Sequence, residues 1–88
     1  MPKATVRVLL FARYAELLGR EEITLAINVP TTVQEVVRRL RADVPGGDGI
    51  PERPLAAVNL RHARLDTAVV DGDEVALLPP LAGGRPIG

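Results

Sequence analysis

Glu74-Val75-Ala76-Leu77-Leu78-Pro79-Pro80-Leu81-Ala82-Gly83-Gly84 is the stretch on which the reading of this chain turns. Its first five residues form a buried-strand pattern. Alternation places Val75 and Leu77 on one face and Ala76 and Leu78 on the other. Pro79 and Pro80 then stop the ladder, because proline has no amide hydrogen to donate and favours extended backbone. Gly83 and Gly84 lack a Cβ and pass where no other residue fits. Only Arg85-Pro86-Ile87-Gly88 follow. The pattern predicts a core that stops near Pro79, one domain over residues 1–82, and a flexible tail over 83–88. A thin tail of this shape suits insertion into the narrow active site of another protein. A frayed terminus has the same composition.

Outward from that stretch, Asp71-Gly72-Asp73 reads as a turn. Leu55 to Leu60 predicts a third, largely buried strand, and His62 to Leu65 a short fourth. Pro45-Gly46-Gly47-Asp48-Gly49 is a breaker cluster, read as plain loop within a segment from Val44 to Pro54. Before it, Val33, Val36, Val37, Leu40 and Val44 follow helical spacing, with Arg38, Arg39 and Arg41 on the other side. Thr32-Val33-Gln34-Glu35 matches a capping box, so one amphipathic helix is predicted from Thr32 to Asp43. Pro30 stops the strand Glu22 to Val29, in which Ile23, Leu25, Ile27 and Val29 share a face. Val6, Val8 and Leu10 share a face of a first strand over Ala4 to Phe11, with Thr5 and Arg7 opposite. Ala12 to Leu18 makes a short helical turn closed by Gly19.

The order is strand, strand, helix, strand, short strand, strand. A sheet with one helix across one face buries both apolar surfaces. A hairpin on each side of the helix lets the first and last strands pair in parallel at the centre. The expected fold is α+β: a ubiquitin-like β-grasp, with a mixed sheet of four to five strands and one main helix.

Composition narrows the function classes. The 88 residues fit one domain, whose folding buries only about 60–65% of the unfolded surface. The core must be aliphatic, since Phe11 and Tyr14 are the only aromatics. A net charge of +0 without a long run of one sign argues against nucleic acid as the main partner. The absence of cysteine removes disulfides, thiolate nucleophiles and cysteine metal sites. No apolar run reaches the ~18 residues of a spanning helix, which argues against a membrane role. Met1-Pro2-Lys3-Ala4 enters a strand pattern at once, without a signal-peptide pattern, so a cytoplasmic location is expected.

Three stretches carry a family resemblance. They are Val8-Leu9-Leu10-Phe11-Ala12-Arg13-Tyr14-Ala15-Glu16-Leu17-Leu18-Gly19, then Val29-Pro30-Thr31-Thr32-Val33-Gln34-Glu35-Val36-Val37, then Ala57-Val58-Asn59 with Asp71 through Gly84. Together they resemble the small, sulfur-carrying subunit of molybdopterin synthase, over nearly the whole chain. The last stretch is the most specific, joining a turn, a strand, two prolines and Gly-Gly in one order. The thiamine-pathway sulfur carrier is usually shorter and lacks the Phe-Ala-Arg opening.

The resemblance implies that an ATP-dependent activating enzyme adenylates the carboxylate of Gly84, and that sulfur then replaces AMP to give a thiocarboxylate. Gly83 precedes this carrier residue. The resemblance further implies that the tail enters a large synthase subunit, with Leu78, Pro80, Leu81 and Ala82 facing that partner. No cofactor or metal is expected on the chain; ATP belongs to the activating partner. Arg85-Pro86-Ile87-Gly88 departs from the family, whose usual member ends at the second glycine. Three readings of this extension stand open: a precursor trimmed after Gly84 by a processing protease, an artefactual addition, or a member that has lost carrier activity or acts through Gly88.

Other candidates have plainer readings. His62, the one histidine, reads as a surface-loop residue without metal or catalytic partners. Arg38, Arg39 and Arg41 read as a solvated helix face. Asp71 and Asp73 fit a tight turn better than a metal site, and Asn59 fits a turn held by its side chain. Leu78 and Leu81, if outward, read as a docking anchor. Competing functions are sulfur delivery to another acceptor (cysteine, a tRNA or a secondary metabolite), a ubiquitin-like modifier joined through Gly84 to lysines, and a binding domain without tail chemistry.

Overall fold

The computed structural model describes residues 3–80. The chain runs β1 (Lys3–Leu10), α1 (Arg13–Leu18), β2 (Glu22–Asn28), β3 (Thr31–Thr32), α2 (Val33–Asp43), a 3₁₀ turn (Gly47–Gly49), β4 (Leu55–Val58), β5 (Arg61–Ala63), β6 (Ala68–Val69) and β7 (Glu74–Leu78). Five strands form one sheet in the order β2-β1-β7-β4-β5, and β3 and β6 form a separate two-stranded ribbon. β1 and β7 pair in parallel at the centre, with Val8 opposite Val75 and Leu10 opposite Leu77. The outer pairings are antiparallel. This is the mixed sheet and single main helix expected of a β-grasp. Among the described residues no helix is long and apolar enough to cross a membrane.

The alternation in β1 buries Ala4, Val6, Val8 and Leu10. These face α2, whose Val33, Val36, Val37 and Leu40 are fully buried. Val75 and Leu77 of β7, Ile23 and Ile27 of β2, Tyr14, Ile50, Ala56 and Val69 belong to the same apolar cluster. Full burial of each such side chain stabilises by about 1.5–3 kcal/mol. Apart from Tyr14 the core is aliphatic.

Helix α2 starts where the cap predicts. Thr32 is extended, and the Glu35 amide donates to its Oγ1 at 3.3 Å. The reciprocal half of the box is replaced: Glu35 accepts from Arg38 Nη1 at 3.3 Å. The other first-turn amides find a distant loop, Val33 donating to Thr67 O at 3.0 Å and Gln34 to Leu65 O at 2.8 Å. That loop follows β5, which spans Arg61–Ala63 rather than His62 to Leu65. It leads into β6, a strand with no sequence signal because two residues carry no periodicity.

Two other expectations need correction. β4 ends at Val58, not Leu60, and its first residue Leu55 is 51% exposed, so the strand is not largely buried. Asn59 and Leu60 instead form the β4–β5 turn with left-handed φ values of 51° and 72°. Gly46-Gly47 is not plain loop. Gly46 has φ +84°, and a Cβ there would lie 2.7 Å from the Leu17 carbonyl oxygen. A Cβ on Gly47 would collide with the Leu40 carbonyl oxygen. The pair lets the 3₁₀ turn pack against both helices.

The turn before β7 is locked by side chains. Asn59 Nδ2 donates to Asp73 Oδ1 at 2.9 Å, and the Glu74 amide donates to Asn59 Oδ1 at 3.0 Å. The Val70 amide donates to Asp73 Oδ2 at 2.9 Å, and the Thr5 amide to Asp71 Oδ1 at 2.7 Å. Asn59 tolerates a left-handed backbone, but Leu60 does not, and it is 88% exposed. A side chain in that region costs about 1–2 kcal/mol, against about 0.5–1 kcal/mol of extra chain entropy for glycine. Leu60→Gly should therefore raise stability by about 0.5–1 kcal/mol, read as a higher urea midpoint at unchanged slope. A lower midpoint would show that Leu60 makes a compensating contact.

Candidate functional site

Because β7 runs parallel to β1, it leaves the sheet at the end where β1 finishes. Leu77 lies opposite Leu10, so β7 ends level with the junction of β1 and α1. Leu78 and Pro79 are half-buried and Pro80 is exposed. Leu81, Ala82, Gly83 and Gly84, together with Arg85 to Gly88, lie outside the described residues.

The face of the sheet away from α2 surrounds this exit. By register it carries Leu9, Ala76, Ala57, Leu55 and Leu78 side by side. Ala76 is 8% exposed and Leu55 51%. Arg7 and Glu74 border the patch, Arg7 Nη2 lying 2.8 Å from Glu74 Oε2, with Glu22 at 3.7 Å from Nη1. His62 stands exposed on edge strand β5 opposite Ala57, not in a loop. Arg38 and Arg39 pair along α2 with Glu35 and Asp43. Arg41 donates to the Ile50 carbonyl and pairs with Glu52 at 3.6 Å. All three have intrachain partners.

Beside the exit is a recess of about 410 Å³ lined by Leu9, Leu10, Phe11, Ala12, Ala15, Glu21 and Glu22. Phe11 is 44% exposed there. Ala12 has φ 52° and ψ −125°, a strained conformation for any residue with a side chain. It turns the chain from β1 into α1, and the Tyr14 amide closes the turn on Phe11 O at 3.0 Å. Burial pushes the Tyr14 hydroxyl above its ordinary 10.0, with Arg13 opposing. Among the described residues no cluster of metal-ligating side chains forms. The arrangement brings the end of β7 beside an apolar platform.

Sequence reasoning singled out Leu78 but missed its neighbours. Leu9 was the available signal, an apolar residue on the polar phase of β1. Leu55 and Ala57 share the face only through the β4–β7 register, which no local pattern specifies.

The ThiS family matches residues 8–84 of this chain. The molybdopterin synthase sulfur carrier subunit of Escherichia coli (strain K12) is 36% identical over 84 residues, covering 90% of this chain and 99% of its own. Small archaeal modifier protein 3 of Haloferax volcanii is 32% identical over 85 residues, covering 84% of this chain and 92% of its own. The crystal structure of H. volcanii small archaeal modifier protein 1 superposes with a TM-score of 0.79 at 26% identity, over 89% of this chain and 99% of that one.

The two faces of β7 predict opposite outcomes for adjacent substitutions. Leu78→Glu keeps its charge near water and should cost about 1 kcal/mol, with native amide dispersion retained. Leu77→Glu places an unpaired carboxylate in the core and should cost more than about 4 kcal/mol. Equal losses by urea titration would contradict the assignment of faces.

Proposed function

This chain belongs to the ThiS family, and from that premise we propose that it is a sulfur carrier serving molybdopterin synthase. The observation that carries the reading is the exit of β7 beside an apolar, half-exposed sheet face, followed in the sequence by Gly83-Gly84. The name of the E. coli relative supports the pathway. A carboxylate is a poor electrophile. In the proposed cycle an activating enzyme spends ATP to join the Gly84 carboxylate to AMP, releasing pyrophosphate. Hydrosulfide then attacks the acyl carbon, the C–O bond to AMP breaks with AMP as leaving group, and a thiocarboxylate remains. Glycine at the acyl position keeps the carbon open to attack. The cytoplasm, which supplies the ATP, is the proposed compartment.

In the large synthase subunit the tail delivers its sulfur while Leu78, Pro80, Leu81 and Ala82 dock. Leu78→Glu or Leu81→Glu should leave the domain folded and weaken that complex by a few kcal/mol. The active species is proposed to end at Gly84, after a protease removes Arg85 to Gly88. Only a free carboxylate can be adenylated, and four extended residues add roughly 13 Å beyond it. The modifier reading has its own support in the archaeal relative; it requires isopeptide conjugates on target lysines.

The test is a loading assay with an activating enzyme of proven activity on this family, ATP and a sulfur donor. A chain ending at Gly84 should gain about 16 Da as sulfur replaces oxygen at the activated acyl carbon. The full chain should stay unmodified at Gly84. Loading of the full chain at Gly88 without cleavage, or an inert short form, would overturn the assignment.

A further inference from the structure

The five-stranded sheet has two edges, β2 and β5, and they are built differently. β5 is three residues long, and its Arg61 and His62 are exposed. A short, charged edge is poor at accepting another strand. β2 is seven residues long, and its Ile23-Thr24-Leu25-Ala26-Ile27-Asn28 contains no charge, proline or glycine. It pairs residue for residue with β1 from Glu22 to Asn28, without a bulge. Nothing in its sequence or geometry blunts its free side.

The ladder with β1 fixes which backbone groups line that side. The Leu10 amide donates to the Glu21 carbonyl at 2.9 Å. The core-facing residues Ile23, Leu25 and Ile27 are in phase with Glu21, so their amides and carbonyls bond to β1. Those of Glu22, Thr24, Ala26 and Asn28 point the other way, and all four residues are exposed. Among the described residues no strand lies against them.

We propose that β2 is a self-association edge, at which two copies of this chain pair their β2 strands antiparallel about a two-fold axis through Leu25. The strand is self-complementary about that residue. Thr24 falls opposite the second copy's Ala26, Ile23 opposite its Ile27, and Glu22 opposite its Asn28. No like charges meet. The free amides and carbonyls of Thr24 and Ala26 exchange hydrogen bonds across the axis, as do those of Glu22 and Asn28. Leu25 is half-buried in one copy. On the axis it meets its own counterpart at a non-hydrogen-bonded position, where side chains stand closest. Moving the axis to Thr24 or Ala26 leaves two of the seven residues outside the pairing. Moving it by half a step turns the free groups toward residues whose bonds are already made to β1.

The axis stands perpendicular to the sheet. Both α2 helices then lie on one side of the joined sheet, and both apolar platforms on the other, where Leu9, Ala57, Leu55 and Leu78 stay open to a partner. β7 runs antiparallel to β2, so the two β7 ends leave the joined sheet at opposite ends. The inference is independent of what happens at Gly84. A seven-residue edge is smaller than a standard interface of about 1,200–2,000 Å², so the association is weak and shows at about 0.1–1 mM protein.

Sedimentation equilibrium of the full chain, taken up to about 1 mM, should show a monomer–dimer equilibrium. Over the same range, hydrogen-exchange protection should rise at the amides of Glu22, Thr24, Ala26 and Asn28. The amides of Ile23, Leu25 and Ile27 already bond to β1 and should hold their protection. Ala26→Pro removes one free donor without breaking a bond of the single copy, and should weaken the dimer at least about tenfold with amide dispersion kept. Leu25→Lys and Leu25→Glu should each stay monomeric alone, because like charges would meet on the axis, and should dimerise when mixed. Only a residue on the axis faces its own counterpart, so this pair of variants tests the register itself. The wild-type measurements stand without any variant. A monomer at about 1 mM, concentration-dependent protection confined to other strands, or Leu25→Lys and Leu25→Glu chains that are folded but fail to pair when mixed would overturn the proposal.

Discussion

The parallel pairing of β1 with β7 is the constraint on which the rest of the molecule depends. It joins the two ends of the described chain at the centre of the sheet, with Val8 against Val75 and Leu10 against Leu77. All four side chains lie under α2 and are essentially excluded from water. A parallel pair cannot be closed by a tight turn. The intervening helix and hairpins are the connection that makes it possible. The same pairing decides where β7 leaves the sheet: level with the end of β1, at the rim of an apolar sheet face.

Two devices hold β7 in register at its start. Asn59 links the β4–β5 and β6–β7 turns by donating to Asp73 Oδ1 and accepting from the Glu74 amide, and Asp71 accepts from the Thr5 amide. A slip of one residue would move Val75 and Leu77 to the outer face and Ala76 and Leu78 into the core. The aliphatic core favours only one of these registers. Stability and the presentation of Leu78 are therefore the same fact seen from two faces of one strand.

Much of this was legible because its signals are local. The alternation of Val6, Val8 and Leu10, the Thr32 cap and the spacing of Val33, Val36, Val37 and Leu40 each specify an element without reference to the rest. The reading of Asn59 as a turn-holding residue also matches its bonds. What was not legible is tertiary. β3 and β6 are too short to have a period. The amides of Val33 and Gln34 are satisfied from residues more than thirty positions away. Gly46-Gly47 looks like any loop until the carbonyls of Leu17 and Leu40 are placed against it. The apolar platform of Leu9, Ala57 and Leu55 exists only once the strand order is known, and Leu81 to Gly84 lie outside the described residues.

The carrier reading rests on one molecular species, a chain ending in an unobstructed glycine acyl group. The most direct test is the intact mass of the protein purified from its natural host under conditions that preserve thiocarboxylates. A chain ending at Gly84, present both as the acid and as a form heavier by about 16 Da, is the predicted result. A population that ends only at Gly88 without sulfur, or that is found as isopeptide conjugates to other proteins, would contradict it.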